Sequence, residues 1–115
     1  MEWGKEVEER AMEWLRDQGR KPVNESDQNL GWDISCDDDV FEVKGRKSDR
    51  TAVVVSENEW RAAKKLKKRY TVLVFTAANK AALEAAEPVE YCDPASNPES
   101  WNEKMRISYD YYLVQ

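Results

Sequence analysis

The stretch from Gly31-Trp32-Asp33-Ile34 to Phe41-Glu42-Val43-Lys44-Gly45 constrains the chain more than any other. In a β-strand successive side chains point to opposite faces. Glu42 and Lys44 therefore share one face, and Phe41 and Val43 share the other, where they can enter a core. Asp37-Asp38-Asp39 lies between the two halves and reads as a turn. The spacing predicts a hairpin of Trp32–Cys36 and Val40–Gly45, with Asp33 across from Glu42 and Ser35 across from Val40. Cys36-Asp37-Asp38-Asp39 is then a four-residue connection. That register sets two carboxylates and a lysine side by side. Such a group costs stability unless something binds it, and a divalent cation is the evident candidate.

The flanking segments read as an α/β domain. Lys5–Gln18 is predicted helical: Val7, Ala11, Trp14 and Leu15 recur at helical spacing, and Gly19 ends the run. Glu8 falls beside Leu15 on the edge of the apolar stripe, where an acid is unusual. It is either a border residue reaching water or part of the acidic group. Arg20–Leu30 is a polar connection in which Val23 makes a short extended piece. Gly45–Arg50 is a basic loop. Thr51–Ser56, with Ala-Val-Val-Val, fits a buried third strand. Ser56-Glu57-Asn58-Glu59 is a capping box that opens a second helix running to about Arg69, with Trp60, Ala63 and Leu66 or Lys67 inward. Tyr70–Thr76 is a strong central strand. Ala77–Glu87 is a short helix or a loop, Val89–Cys92 a short strand, and Met105–Leu113 a last strand. A crossover through the second helix sets Tyr70–Thr76 parallel to an earlier strand of a mixed sheet.

At this length residues 1–115 form one domain. Five tryptophans and five tyrosines argue for a folded body despite the high charge. No apolar run approaches a membrane span, and the opening residues lack an apolar signal core. A reduced, cytoplasmic setting is therefore expected, with Cys36 and Cys92 both buried and inert. Histidine is absent, which excludes His-based triads and imidazole zinc sites. The net charge is −5, but it is unevenly spread. Lys44 to Arg69 holds ten Lys or Arg against three Asp or Glu, and the rest of the chain eight against twenty. A ligand feels the nearby field, so a basic surface on an acidic body is compatible with phosphate binding. A solvated lysine-rich helix explains the same run without any ligand.

Two carboxylates and a backbone carbonyl suit Mg²⁺, which takes oxygen ligands and keeps several waters. The ion polarises a phosphoryl oxygen and acidifies a bound water. A lysine two residues from a ligand can orient that water or offset charge building at phosphorus. Glu-X-Lys on a strand is also a common ion-pairing pattern, and the spacing by itself does not separate the two readings.

The order of elements, with Asp33 near one strand, Glu42-Val43-Lys44 on the next and Glu8 in the first helix, resembles the PD-(D/E)XK, restriction-endonuclease-like nuclease superfamily. Within it the chain is most similar to the domain family named for the C-terminal region of the plant protein NO VEIN. The resemblance rests on Gly19-Arg20-Lys21-Pro22-Val23, Gly31-Trp32-Asp33-Ile34-Ser35, Phe41-Glu42-Val43-Lys44-Gly45, Ser56-Glu57-Asn58-Glu59-Trp60 with Ala63, Tyr70, and Cys92-Asp93-Pro94. It covers roughly residues 5–95. Trp32 stands where the superfamily name has proline.

The resemblance implies an αβββαβ core with a central mixed sheet, and a Mg²⁺- or Mn²⁺-dependent endonuclease acting on DNA rather than RNA, in defence, restriction or repair. Asp33 would be the main metal ligand, Glu42 the second and the Val43 carbonyl the third. Lys44 would orient the attacking water, and Glu8 would be an auxiliary acid and metal contact. Arg46, Lys47 and Arg50, with Ser56 and Lys64, are candidates for the phosphate backbone. Glu59 and Trp60 need only a cap and a core anchor to explain them. Trp101, Tyr109, Tyr111 and Tyr112 read as packing rather than base stacking. A catalytically silent nucleic-acid-binding or protein-docking module of the same fold is the rival reading. A second copy, or a helicase or ATPase partner, would supply further DNA contacts.

Overall fold

Val7, Ala11 and Leu15 recur every four residues, and the first helix, α1 (Trp3–Asp17), buries all three. Full burial of a side chain the size of Val7 or Leu15 contributes about 2 kcal/mol, and the Ala11 methyl less. The computed structural model describes residues 3–97 and the backbone of residues 105–108. After α1 come β1 (Val23–Asn24), β2 (Ile34–Cys36), β3 (Asp39–Arg46), β4 (Val53–Ser56), α2 (Glu57–Leu66), β5 (Tyr70–Thr76), α3 (Lys80–Ala85), β6 (Val89–Cys92) and β7 (Met105–Ser108). A short 3₁₀ turn, Lys67–Arg69, carries α2 into β5.

Five strands form one sheet in the order β1-β2-β3-β5-β6. The β3–β5 pair is parallel and the other neighbours are antiparallel, so the sheet is mixed as expected. Its two faces carry separate cores. Phe41, Val43, Leu73 and Phe75 pack with Val7, Ala11 and Leu15 of α1. Val40, Tyr70, Val72 and Val74 pack with Ala63 of α2 and with Val53 and Val55 of β4. Gly45 lets α1 approach β3, since a Cβ there would lie 2.5 Å from Val7 Cγ2.

The hairpin register is the expected one, with Ser35 opposite Val40 and Ile34 opposite Phe41. Pairing continues one step further, to Cys36 and Asp39, leaving only Asp37 and Asp38 in the turn. Asp37 takes φ 53°, a left-handed conformation that aspartate tolerates better than most residues. The anticipated four-residue loop is therefore shorter.

The expected third strand is real but lies elsewhere. β4 pairs in parallel with β7 in a separate two-stranded sheet. Both edges of β3 are already occupied, by β2 and β5, so β4 has no place beside it. The anticipated last strand is described only over Met105–Ser108; its remainder, with Trp101, Tyr109, Tyr111 and Tyr112, lies outside the described residues. Ala77–Glu87 resolves into the short helix α3, capped by Asn79, whose Oδ1 accepts from the Ala82 amide at 2.9 Å. Both cysteines are free; Cys36 is buried, but Cys92, on the edge strand β6, is exposed, contrary to expectation. Among the described residues no helix is long and apolar enough to cross a membrane.

Candidate active site

Period-two alternation along β3 aims Glu42 and Lys44 at α2 and β4, away from the α1 core. Lys44 Nζ lies 3.1 Å from Glu42 Oε2 and 2.7 Å from Glu59 Oε1. Glu59 comes from the first turn of α2, where the capping box forms in full. Its amide donates to Ser56 Oγ at 3.2 Å, and its Oε1 accepts from the Ser56 amide at 3.0 Å. One carboxylate thus closes the helix start and holds the lysine. From its place in the sequence Glu59 needs only the role of a cap. The capping box was a visible signal, but the packing of that strand–helix junction beside β3 was not.

Asp33 sits just before β2. Its amide donates to the Phe41 carbonyl at 2.9 Å, and its Oδ2 accepts from the Val43 amide at 2.9 Å. The Asp33 carbonyl turns the other way and accepts from Glu25 at 2.7 Å. The side chain thereby receives an amide of β3 and is pinned against the strand that bears Glu42. Gly31 makes this entry possible. At φ 96° a Cβ would lie 2.8 Å from Ala62 Cβ and 2.9 Å from the Asn58 carbonyl. The Gly31 carbonyl accepts from the buried Tyr70 hydroxyl at 2.7 Å.

The electrostatics are those of an acid excess taken out of water. Glu42 is only 4% exposed. Burial pushes its carboxyl well above the usual range; Lys44 opposes this, while Glu59 and Asp33 push further upward. Asp33 is also raised, first by burial and then by the charges of Glu8 and Glu59, against the lowering effects of the Val43 amide and Lys44. Burial alone would lower Lys44, but Glu42 and Glu59 outweigh it and leave the ammonium raised. Asp33, Glu42 and Glu59, with Glu8 acting on Asp33 from α1, thus face one ammonium.

The suggested phosphate contacts divide. Arg46 extends β3 rather than entering the following loop and is 5% exposed. It donates to Thr76 Oγ1 at 2.8 Å and to the Thr51 carbonyl at 3.3 Å, so its guanidinium is a structural tie. The register sets Arg46 directly opposite Thr76, which explains the burial. Lys47 is exposed, with its ammonium 5.1 Å from the centre of a Trp3 ring. Arg50 and Lys64 are exposed. The Ser56 hydroxyl is engaged as the cap of α2.

Among the described residues no three acidic, histidine or cysteine side chains converge as a cage for a metal ion. Mg²⁺ does not require one, because it is commonly held by one or two carboxylates and completes its shell with water. Asp33 and Glu42 supply two hard oxygen donors, and the unbalanced negative charge around them is what a divalent cation offsets. Carboxylate oxygens are the donor type that a hard divalent ion takes. The model of the family described as "Protein NO VEIN, C-terminal" matches residues 6–87. No curated protein and no solved structure matches the chain.

Proposed function

The chain belongs to the NO VEIN C-terminal family, and on that premise we propose that it is a metal-dependent nuclease of the PD-(D/E)XK type, hydrolysing phosphodiester bonds in DNA. Glu42 carries the reading. A carboxylate kept almost wholly out of water on a sheet face is costly, and an apolar residue there would serve the fold better. Its presence beside Asp33 and Lys44 is understandable if the group binds a cation.

In this reading Asp33 and Glu42 hold Mg²⁺ or Mn²⁺, with the Val43 carbonyl as a third oxygen. The bound ion supplies Lewis acidity and a more acidic water. Lys44 keeps its proton at neutral pH, because Glu42 and Glu59 hold its pKa up. It therefore acts as a hydrogen-bond donor to water or a phosphoryl oxygen and not as a base. Glu59 is a positioning residue that anchors Nζ at 2.7 Å. Glu8 contributes a further carboxylate from α1. A second copy or a helicase or ATPase partner supplies added DNA contacts, since acidic residues dominate the chain outside Lys44 to Arg69.

The test is plasmid nicking with Mg²⁺ or Mn²⁺ by wild type, Asp33→Ala and Lys44→Ala. Wild type nicks, and each variant falls by a factor of about 10²–10³. Equal nicking by all three would mark a contaminant and remove the support. The silent module draws on a different observation, that two carboxylates already pair with Lys44. DNA binding without metal and without nicking would favour it.

A further inference from the structure

Beside the acid–lysine cluster a cleft of about 260 Å³ opens between the approach to β2 and α2. Leu30 and Trp32 line it from the loop, Ala62 and Leu66 from the helix, and Arg61 and Lys65 add two cations. Among the described residues no acidic side chain lines it, in a chain whose net charge is negative. The Trp32 indole N–H is already committed to Glu25 Oε1 at 2.9 Å, so what the indole has left for a ligand is the part of its ring that does not pack on the core beneath. Leu30 is 37% exposed, an apolar side chain left uncovered at the edge of this cleft. Arg61 pairs with Glu57 at the surface, a type of contact that exchanges easily.

This combination matches a specific ligand chemistry. An aromatic ring with apolar neighbours and flanking cations suits a planar base carrying a phosphate. The volume falls below the ~300–1,000 Å³ of sites for drug-sized molecules, which suits a single base better than a larger ligand. The position also matters. Trp32 adjoins Asp33 in the chain, and Asn58, another lining residue, adjoins Glu59. A base in the cleft would thus lie next to the cluster where a backbone phosphate would sit.

We propose that this cleft takes one unpaired base of the nucleic-acid strand, against the Trp32 ring, with its phosphate on Lys65 and Arg61. The inference rests on the nucleic-acid reading above and narrows it to substrates with a single-stranded or splayed nucleotide beside the attacked phosphate.

Fluorescence anisotropy with a labelled oligothymidylate and a blunt duplex of equal length, both in EDTA, tests binding apart from chemistry. The single strand binds more tightly than the duplex. Trp32→Leu weakens single-strand binding by about ten-fold or more, and Trp32→Phe, which keeps a ring, retains most of it. Lys65 is exposed, so Lys65→Glu leaves the fold intact; it weakens binding and lowers its salt dependence. Unchanged single-strand binding in Lys65→Glu and Trp32→Leu, duplex binding as tight as single-strand binding, or no binding at all would each overturn the cleft assignment. Metal-dependent nicking with unchanged oligonucleotide binding in Lys65→Glu would overturn the cleft and keep the nuclease. Binding lost in Lys65→Glu without any nicking by wild type would do the reverse.

Discussion

Lys44→Met isolates the charge balance at the centre of the site. The side chains of Lys44, Glu42 and Glu59 are 20%, 5% and 19% exposed. The group is closer to a buried ion pair, where removing one partner costs about 3–5 kcal/mol, than to a surface pair worth roughly 0–1 kcal/mol. Partial exposure of Lys44 and Glu59 places the expected loss near the lower end of the buried range, about 3 kcal/mol at neutral pH without metal. Urea unfolding in EDTA measures it, and a shift in midpoint at constant slope assigns it to stability. Much of the loss is the exposure of Glu42 to its acidic neighbours with no counter-charge. Glu42→Gln should therefore shrink the cost of Lys44→Met, with a coupling of about 2 kcal/mol in the double-mutant cycle. The pH dependence has a definite sign. Glu42 is raised in the folded state, so the native protein binds more protons than the unfolded chain between the two pKa values. Stability from this group is complete below the unfolded value and is lost as pH rises through the folded one. Removing Lys44 raises Glu42 further, so the deficit of Lys44→Met is small in acid and grows toward neutrality. A loss under about 1 kcal/mol, or the same loss in the Glu42→Gln background, would refute the electrostatic account.

Two further outcomes follow from the geometry. Mg²⁺ or Mn²⁺ at ten times its dissociation constant should stabilise wild type by about 1.4 kcal/mol, read as a rise in Tm, and Glu42→Gln should lose that rise while being more stable than wild type in EDTA. Gly45→Ala should cost about 1–3 kcal/mol of overpacking, because its Cβ meets Val7 Cγ2; thermal unfolding of Val7→Ala/Gly45→Ala, which makes room for that methyl, should show a cost smaller than the sum of the two single changes.

Much of the site was legible in the residues. Alternation along β3 alone set Glu42 and Lys44 on one face and Phe41 and Val43 on the other. The capping box of Ser56 and Glu59 was visible as a pattern and forms as one. Arg46 was not legible. It follows Gly45 in a run of polar residues and looks like loop, yet β3 extends through it because Thr76 of β5 stands opposite to receive its guanidinium. Glu59 was half legible: its cap was local, whereas its grip on Lys44 depends on where the start of α2 lies against a strand fifteen positions earlier.

The sequence by itself determined the features that repeat over a few residues. These are the apolar stripe of α1, the hairpin register, the start of α2 and the shared side of Glu42 and Lys44. Each follows from backbone periodicity or a local hydrogen bond. Only the tertiary structure decided that β4 leaves the main sheet, that Glu59 joins Lys44, that Arg46 is sealed in and that Trp32 borders a cleft. Those outcomes depend on which strand edges are already taken and which helix end meets which strand. They are long-range packing choices that no local pattern encodes.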